Sequence, residues 1–193
     1  MGFFLKSTQL DHVLLGLMAL AFCNGLVLGL APVISPPNTT TPVPAPDPPK
    51  KLNATEEFLE AHNEARAAVG VGPLEWSQKL ASDANRLVRY QRDKKECKFA
   101  EVSNGEYGAN QLWAGGLAVM PRAVVNRWVE EKEYYNHTNN SCAPDHMCGL
   151  YTQLVWKKTL ELGCAQATCV KEHVFLTICF YYPPGNVAGE SPY

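Results

Sequence analysis

The sequence predicts an α+β fold, a three-layer α-β-α sandwich in which a small, largely antiparallel sheet lies between helices. Helix-like spacing of apolar residues comes first along the domain and strand-like alternation comes later, an order typical of α+β proteins. The last alternating segment is apolar on both of its faces, so both faces of the sheet need cover. Six of the seven cysteines lie between residues 97 and 179, which indicates that disulfides stabilise the domain.

Two segments precede the predicted domain. Residues 1–31 resemble a secretory signal peptide, because Lys6 is followed by a nearly continuous apolar stretch from residue 13. That stretch is also long enough to span a bilayer, so an uncleaved anchor is the alternative. Residues 32–50 are rich in proline and predict an extended linker, either inert or modified and bound to cell-wall polymers. Residues 51–193 remain for one domain with a substantial core.

The charge of the chain is nearly balanced, with 17 Lys and Arg against 19 Asp and Glu and a formal net charge of −2. This balance gives no reason to expect nucleic acid or an anionic membrane as a partner. One local basic run lies on the outer surface and end of the second predicted helix, and we interpret it as a solvated face. The run consists of Arg86, Arg89, Arg92, Lys94 and Lys95.

Three helices are predicted in the first part of the domain. Asn53, followed three residues later by Glu56, is a helix start that predicts a first helix ending before Gly70. A second helix is expected to start near Ser77, and Pro121 is expected to open the third. The apolar residues that share the inner faces are Phe58, Ala65 and Val69 in the first helix, Leu80, Ala84, Leu87 and Val88 in the second, and Val124, Val125, Trp128 and Val129 in the third.

Three strands are predicted to follow, over residues 151–157, 162–168 and 173–181. The last is expected from the clear alternation of its residues.

Cysteines and sequons point to the same oxidising compartment. Six cysteines, an even number after the signal segment, predict three disulfides, although their spacing alone leaves the pairing open. The absence of a Cys-x-x-Cys pair in the sequence disfavours a structural zinc site. Four Asn-x-Ser/Thr sequons are candidate glycosylation sites, at Asn38, Asn53, Asn136 and Asn139.

Several motifs in one order resemble the CAP superfamily of secreted cysteine-rich proteins, antigens and pathogenesis-related proteins. They are Ala-His-Asn-Glu-Ala-Arg at 61–66, Tyr-Gly-Ala-Asn-Gln-Leu-Trp at 107–113, Arg-Trp-Val-Glu-Glu at 127–131, the signature segment 148–156, read as a strand, and Cys-Phe-Tyr-Tyr-Pro-Pro-Gly-Asn at 179–186. Within the superfamily the chain resembles the plant pathogenesis-related class-one proteins, and especially their pistil-expressed branch. The resemblance implies a protein secreted to the extracellular space or cell wall, with disulfides Cys97–Cys169, Cys142–Cys148 and Cys164–Cys179.

The resemblance also implies a cleft that two histidines and two glutamates surround in most relatives, an arrangement suited to zinc and to metal-assisted hydrolysis. In this chain Leu150 replaces one histidine and Ala109 replaces one glutamate, while Glu101 lies nearest the place of the other histidine. Of the two histidines and two glutamates that surround the cleft in most relatives, this chain keeps only Glu131. We therefore expect no metal, no cofactor and no enzymatic activity, and we interpret His62 as a satisfied core histidine.

Two non-catalytic functions are expected from the resemblance. The first is a monomeric plant defence protein that binds sterol or another lipid through Tyr134 and Tyr135 and restrains fungal or oomycete pathogens. The second is an extracellular matrix or signalling role, through the proline-rich arm or through a peptide released from the tail, residues 183–193, by cleavage between Tyr182 and Pro183. A packed tail with a structural role is the alternative to release.

Overall fold

The computed structural model describes residues 51–102, 105–116 and 119–193. The predicted signal peptide, the proline-rich linker and Asn38 lie outside these residues. The helices are α1 (Ala54–Ala67), α2 (Gln78–Lys94), α3 (Pro121–Val129) and α4 (Gly149–Leu154), and a 3₁₀ turn, Glu130–Tyr134, follows α3. The strands are β1 (Glu75–Trp76), β2 (Gly108–Gly115), β3 (Tyr135–Asn136), β4 (Ser141–Cys142), β5 (Glu161–Cys169) and β6 (Val174–Tyr182). No helix in the described part of the chain is long and apolar enough to cross a membrane.

The main sheet has four strands in the order β1-β5-β6-β2. Strands β5 and β6 form its antiparallel centre, β2 pairs antiparallel with β6, and the short β1 runs parallel to β5. The sheet is therefore mixed but largely antiparallel, as predicted. Strands β3 and β4 form a separate two-stranded hairpin, referred to below as the β3–β4 hairpin.

Helices cover both faces of the sheet, which confirms the predicted three-layer arrangement. On one face, Leu80, Ala84 and Val88 of α2 pack in one cluster with Leu176 and Ile178 of β6. The cluster on the other face includes buried residues from α1, α3 and α4, namely Phe58, Val124, Trp128, Tyr151 and Leu154, together with Leu162 and Tyr181 of the sheet. Alternate residues of β6 therefore belong to the two cores on opposite faces of the sheet, which is why the residues on both sides of this strand are apolar.

The three predicted helices form where their caps indicate. Asn53 Oδ1 accepts a hydrogen bond from the Glu56 backbone N–H (3.0 Å), and Glu56 Oε2 accepts one from the Asn53 N–H (2.9 Å). This reciprocal pair is a capping box, and it satisfies two N–H groups that a helix start leaves without intrahelical partners. Ser77 precedes α2 and Pro121 opens α3, as predicted.

The prediction of a strand over residues 151–157 was wrong. Residues 149–154 form α4, and the chain turns at Val155 and Trp156 before β5 begins. The prediction also omitted β1 and β2. Strand β2 has Gly, Ala and Asn at its start, residue types with low strand propensity, and it exists because all eight of its residues pair with β6.

Three disulfides stabilise the domain, and they are the pairs that the resemblance implied. Cys97–Cys169 joins the segment after α2 to the end of β5 and spans 72 residues of sequence. Cys142–Cys148 closes a loop before α4, with a separation of 6 residues. Cys164 and Cys179 lie opposite each other on β5 and β6.

Candidate functional site

A cleft of about 530 Å³ opens beside the 3₁₀ turn that follows α3. Its apolar lining comes from three elements, with Leu112 on β2, Trp128 on α3 and Leu150 on α4. The 3₁₀ turn contributes an acidic rim and one aromatic ring. The remaining lining residues are Arg127, Glu130, Glu131, Glu133 and Tyr134. We refer to this space as the α3–α4 cleft.

The side chain of Glu131 caps the first turn of α4, although Glu131 is not part of that helix. Its Oε2 accepts hydrogen bonds from the backbone N–H groups of Leu150 (2.8 Å) and Tyr151 (3.2 Å). These N–H groups have no intrahelical partner, so the carboxylate replaces a cap that the helix's own sequence lacks. Desolvation by burial raises the pKa of Glu131, against the opposing effect of the two hydrogen bonds. The capping contacts identify a structural role for this carboxylate.

Of the four positions predicted to surround the cleft, the structure brings only Glu131 and Leu150 together. Ala109 packs on the α2 side of the sheet, opposite Phe180 in the β2–β6 register, and so lies on the other face. Glu101 is exposed in the segment after α2 and does not line the cleft. The sequence analysis missed Leu112, which the alternation of β2 would have identified, because that strand was not predicted.

The two tyrosines predicted to bind lipid have different surroundings. Tyr134 lines the α3–α4 cleft and stacks on the His146 ring, with centroids 3.6 Å apart and an interplanar angle of 11°. Tyr135 is half-buried, and its hydroxyl donates to Asn140 Oδ1 at 2.8 Å. Its ring lies 6.0 Å from that of Tyr151. Tyr134 is therefore the one of the pair that a ligand in the cleft would contact.

His62 is a core residue, as the sequence analysis expected. It is completely buried on α1, where Nδ1 is 2.7 Å from the Phe58 carbonyl oxygen and Nε2 is 2.9 Å from the Tyr181 hydroxyl. Burial lowers the pKa of His62 to about 4, so the ring is neutral at neutral pH. Both nitrogens are occupied within the protein, and neither is available to a metal.

Arg66 is a second buried polar residue of α1, and the sequence analysis did not identify its role. Its guanidinium donates to the backbone carbonyls of Leu154 (3.1 Å), Trp156 (2.9 Å) and Thr159 (3.0 Å), while Nε donates to that of Gly72 (2.7 Å). Burial lowers the pKa of Arg66 to about 10. This single side chain therefore fixes the turn that leads from α4 into β5.

The C-terminal tail contacts the rest of the domain near its start and at its end, while residues 187–189 between them are exposed. Pro183 and Gly185 make hydrogen bonds to Thr159 and Gln153, at 2.9 Å each. Further contacts join Asn186 to Thr152 (2.7 Å), the Pro192 carbonyl to the Lys157 N–H (2.7 Å) and the Tyr193 hydroxyl to that of Tyr151 (3.2 Å). The Tyr193 ring also stacks on His137, with centroids 4.3 Å apart.

The bond proposed for cleavage, between Tyr182 and Pro183, lies at the end of β6. Tyr182 pairs with Glu161, and its carbonyl accepts a hydrogen bond from the Leu160 N–H at 2.9 Å. A protease therefore needs the end of this strand to open before it can bind the bond in its active site.

Three of the four sequons fall in the described residues. Asn53 caps α1, while Asn136 and Asn139 are exposed in the β3–β4 hairpin. Asn136 Oδ1 accepts a hydrogen bond from the Thr138 N–H, and Asn139 Oδ1 accepts one from the Ser141 hydroxyl. These contacts engage only the amide oxygens. The amide nitrogens, the atoms to which N-linked glycans are attached, are not used in them. Glycosylation at each position stays a prediction.

No group of three or more His, Cys, Asp or Glu side chains is arranged to hold a metal ion within residues 51–102, 105–116 and 119–193. The side chains around Glu131 also do not suit zinc, because the described lining of the cleft offers carboxylates at the rim but neither imidazole nor thiolate.

Comparison with known proteins agrees with the motifs and the fold. The family model described as CAP, the cysteine-rich secretory protein family, matches residues 59–181. The STS14 protein of Solanum tuberosum is 62% identical over 140 residues, which cover 72% of this chain and 65% of that protein. The pathogenesis-related protein PR-1 of Medicago truncatula is 42% identical over 144 residues, covering 75% of this chain and 82% of that protein.

Solved structures show the same fold. The venom allergen-like protein 4 of Schistosoma mansoni superposes with a TM-score of 0.57 at 25% identity, covering 74% of this chain and 95% of that one. A hookworm platelet inhibitor, at 20% identity and a TM-score of 0.54, shares the fold over 76% of this chain and 79% of its own. The chain belongs to the CAP family of cysteine-rich secretory proteins, as a plant PR-1-like member.

Proposed function

We propose that this protein is a secreted, non-enzymatic plant defence protein whose α3–α4 cleft binds a sterol or a similar amphipathic lipid and thereby restrains fungal or oomycete pathogens. The proposal rests on the position of Leu150 in the lining of the cleft. This residue places an apolar side chain in the cleft where the family resemblance would place a histidine, and Leu112 and Trp128 extend the apolar wall. A sterol has a flat apolar body and one hydroxyl, so it fits an apolar wall with acceptors at its rim.

The dimensions of the cleft are compatible with such a ligand. Its volume of about 530 Å³ lies within the range of small-molecule sites in proteins. Tyr134 supplies an aromatic ring at the opening, where its stacking on His146 holds it in place. Glu133 offers a carboxylate at the rim for the ligand hydroxyl, since Glu131 is engaged in capping α4 and Glu130 pairs with Arg127.

A catalytic role for the cleft has little support. Hydrolysis needs a nucleophile or activated water beside a base, and the described residues that line the cleft include no His, Ser or Cys. The one half-buried carboxylate, Glu131, already accepts two backbone hydrogen bonds. Binding without chemistry is therefore the function that this geometry supports best.

Ergosterol binding to the purified mature protein tests the proposal. Leu150→Glu places a second carboxylate beside Glu131, and we expect it to weaken binding at least about tenfold because an unpaired charge is costly in an apolar site. Leu160→Glu is the matched control, because Leu160 is 59% exposed and lies outside the cleft. Binding can be followed by labelled-sterol pull-down and by quenching of tryptophan fluorescence.

Two results would contradict this proposal. If Leu150→Glu and Leu160→Glu bind ergosterol equally well, the cleft is not the site. If the wild-type protein binds neither ergosterol nor extracted membrane lipids, the function is not lipid binding. Mass analysis of lipids extracted from protein purified from its native tissue would identify the natural ligand.

The cellular setting is part of the same proposal. Similarity to PR-1-like proteins supports secretion to the extracellular space or cell wall. In the same proposal, residues 1–31 are the signal peptide and the mature protein is a monomer. The shared segment Tyr-Gly-Ala-Asn-Gln-Leu-Trp-Ala at 107–114 supports placement in the pistil-expressed branch. The alternative function, in matrix attachment or peptide signalling, rests on residues 32–50 and on the tail, and its tests are given in the Discussion.

A further inference from the structure

A second groove, remote in sequence from the α3–α4 cleft, lies between the end of α2 and the turn that joins β5 to β6. Its volume is about 550 Å³. One wall includes Arg92, Asp93, Lys94 and Glu96, and the other includes Val170, Lys171 and Glu172, so this lining carries three cations and three carboxylates. The Cys97–Cys169 disulfide joins the two walls, with its Cα atoms 6.2 Å apart. The covalent link fixes the spacing of the walls, so the groove exists before any ligand arrives. We refer to it as the α2-end groove.

Positive charge is concentrated at this end of the domain. Residues 86–98 contain six Lys and Arg against two Asp and Glu, an excess of four positive charges in a chain whose net charge is −2. Arg92 pairs with Asp93 at 2.7 Å and Lys98 with Glu96 at 3.3 Å. Lys94 and Lys171 are exposed and have no ion pair within the described residues. These two ammonium groups are therefore available to an anionic ligand.

Three large apolar side chains within or close in sequence to the basic segment 86–98 and the groove are exposed to solvent. Val170, in the groove, is 76% exposed. Phe99 and Tyr90, on the adjoining segment and on α2, are 57% and 49% exposed. The Lys95 ammonium lies over the Tyr90 ring at 5.8 Å. Aromatic side chains are enriched at interaction surfaces relative to the rest of a protein surface.

We propose that the α2-end groove binds an acidic polysaccharide, a chain of uronate sugars. Each uronate has a carboxylate that Lys94 and Lys171 can bind, hydroxyls that can donate to Glu96 and Glu172, and an apolar ring face that fits Val170. An anionic membrane or a nucleic acid presents dense phosphate instead, and the carboxylates within the groove would face that phosphate unfavourably. The mixture of cations and carboxylates therefore favours a ligand that carries both acid groups and hydroxyls.

Titration of the full mature chain with oligogalacturonate tests this inference, by calorimetry at low and at physiological salt. We expect Lys94→Glu/Lys171→Glu to weaken binding at least about tenfold, because two charge-assisted hydrogen bonds are lost and like charges replace them. The matched control is Lys51→Glu/Lys132→Glu, which changes the net charge by the same amount at exposed positions outside the groove. Methyl-esterified oligogalacturonate, which lacks the charge, is expected to bind much more weakly than the free acid.

Four outcomes would overturn the inference: no binding of oligogalacturonate, an equal loss in the control pair, equal binding of the methyl ester, or tighter binding to phosphatidylserine vesicles than to oligogalacturonate. Circular dichroism and the thermal midpoint establish that both double variants are folded. Ergosterol binding by Lys94→Glu/Lys171→Glu is expected to equal that of the wild type. A failure here is thus distinguishable from a failure of the lipid-binding proposal.

Discussion

At the scale of single residues, buried polar side chains decide how this domain responds to pH. His62 is neutral in the folded protein because burial lowers its pKa to about 4, whereas an exposed histidine in the unfolded chain has a pKa near 6.5. Between these values the unfolded chain binds a proton that the folded protein does not. The contribution of His62 to stability is therefore complete above about pH 6.5 and is lost as the pH falls toward 4.

We predict that the wild-type protein loses about 2 kcal/mol of unfolding free energy through His62 between pH 7 and pH 4.5. Urea unfolding at both pH values would measure it, by comparison with His62→Gln, which cannot titrate. The stability gap between the two proteins should narrow by about this amount at the lower pH. A constant gap between wild type and His62→Gln would contradict the prediction.

The second residue-scale prediction concerns metal. Because Leu150 supplies no ligand and Glu131 is engaged by two backbone N–H groups, we expect no zinc binding tighter than about 10 micromolar at neutral pH. Calorimetric titration with zinc after chelator treatment measures this directly. Glu131→Gln and Glu130→Gln should both behave as the wild type. A saturable one-to-one site that disappears in Glu131→Gln alone would show that the cleft retains a metal site.

At the scale of elements, local sequence predicted helices better than strands. Asn53, Ser77 and Pro121 mark helix starts through local chemistry, and all three helices begin there. Helix α4 was predicted as a strand because residues 148–156 were interpreted as the signature strand of the CAP superfamily. The cap of α4, Glu131, is 19 residues away in sequence, so no local pattern marks the helix start. Strand β2 likewise depends on pairing with β6, whose paired residues are 59 to 73 positions away in sequence. Non-local partners of this kind leave no pattern in a short window of sequence.

The candidate site was predictable only in part, because sequence motifs identify residues but not the contacts between distant parts of the chain. Glu131 and Leu150 were identified from motifs, and they lie together. Ala109 was placed in the cleft because a motif position does not specify which face of a strand a residue occupies, and the β2–β6 register assigns it to the other face. The carbonyl contacts of Arg66 were not predictable, since their partners lie at residues 72 and 154–159.

The disulfides should differ in their contributions to stability. Chain entropy predicts a loss of about 4 kcal/mol for removal of Cys97–Cys169, which spans 72 residues, and about 2 kcal/mol for Cys142–Cys148, which spans 6. Urea unfolding of the two double-alanine variants would rank them. Non-reducing peptide mapping of the wild type should recover all three pairs with no free thiol in the domain. A larger loss for the short loop, or a peptide joining Cys148 to Cys164, would contradict this prediction.

The packed tail should protect the bond between Tyr182 and Pro183. We expect Tyr193→Ala, which removes the Tyr151 and His137 contacts, to speed cleavage there by a broad-specificity protease about tenfold, since opening of the tail becomes easier. Val187→Ala is the control, because Val187 is 44% exposed. Cleavage rates come from mass spectrometry of timed digests. Equal rates in all three proteins would show that the tail contacts do not limit access.

The signalling alternative has its own test in tissue. If cleavage at this bond releases a signal on wounding or infection, peptidomics of extracellular fluid from challenged tissue should recover a peptide that begins at Pro183. Recovery of intact protein ending at Tyr193, without that peptide, would count against peptide signalling and favour lipid binding.

At the scale of the whole molecule, we expect the domain and the proline-rich segment to have separable roles. Residues 32–50 have too few apolar residues to form a core, so their removal should leave the stability of the domain unchanged. We predict that deletion of this segment shifts the protein from the wall-bound to the soluble extracellular fraction. Fractionation of tissue that expresses each form, with a glycine-serine linker of equal length as the control, measures this. Equal retention of all three forms in the wall fraction would contradict a role of residues 32–50 in matrix attachment.

The location of Tyr193 has a practical consequence for work with this protein. Its ring and hydroxyl are engaged by His137 and Tyr151, and the preceding carbonyl is bonded to Lys157. An affinity tag fused to the C-terminus would extend from this packed end, next to α4 and the β3–β4 hairpin. Recombinant protein for the binding measurements is therefore better tagged in front of residue 51, with Tyr193 left as the terminal residue.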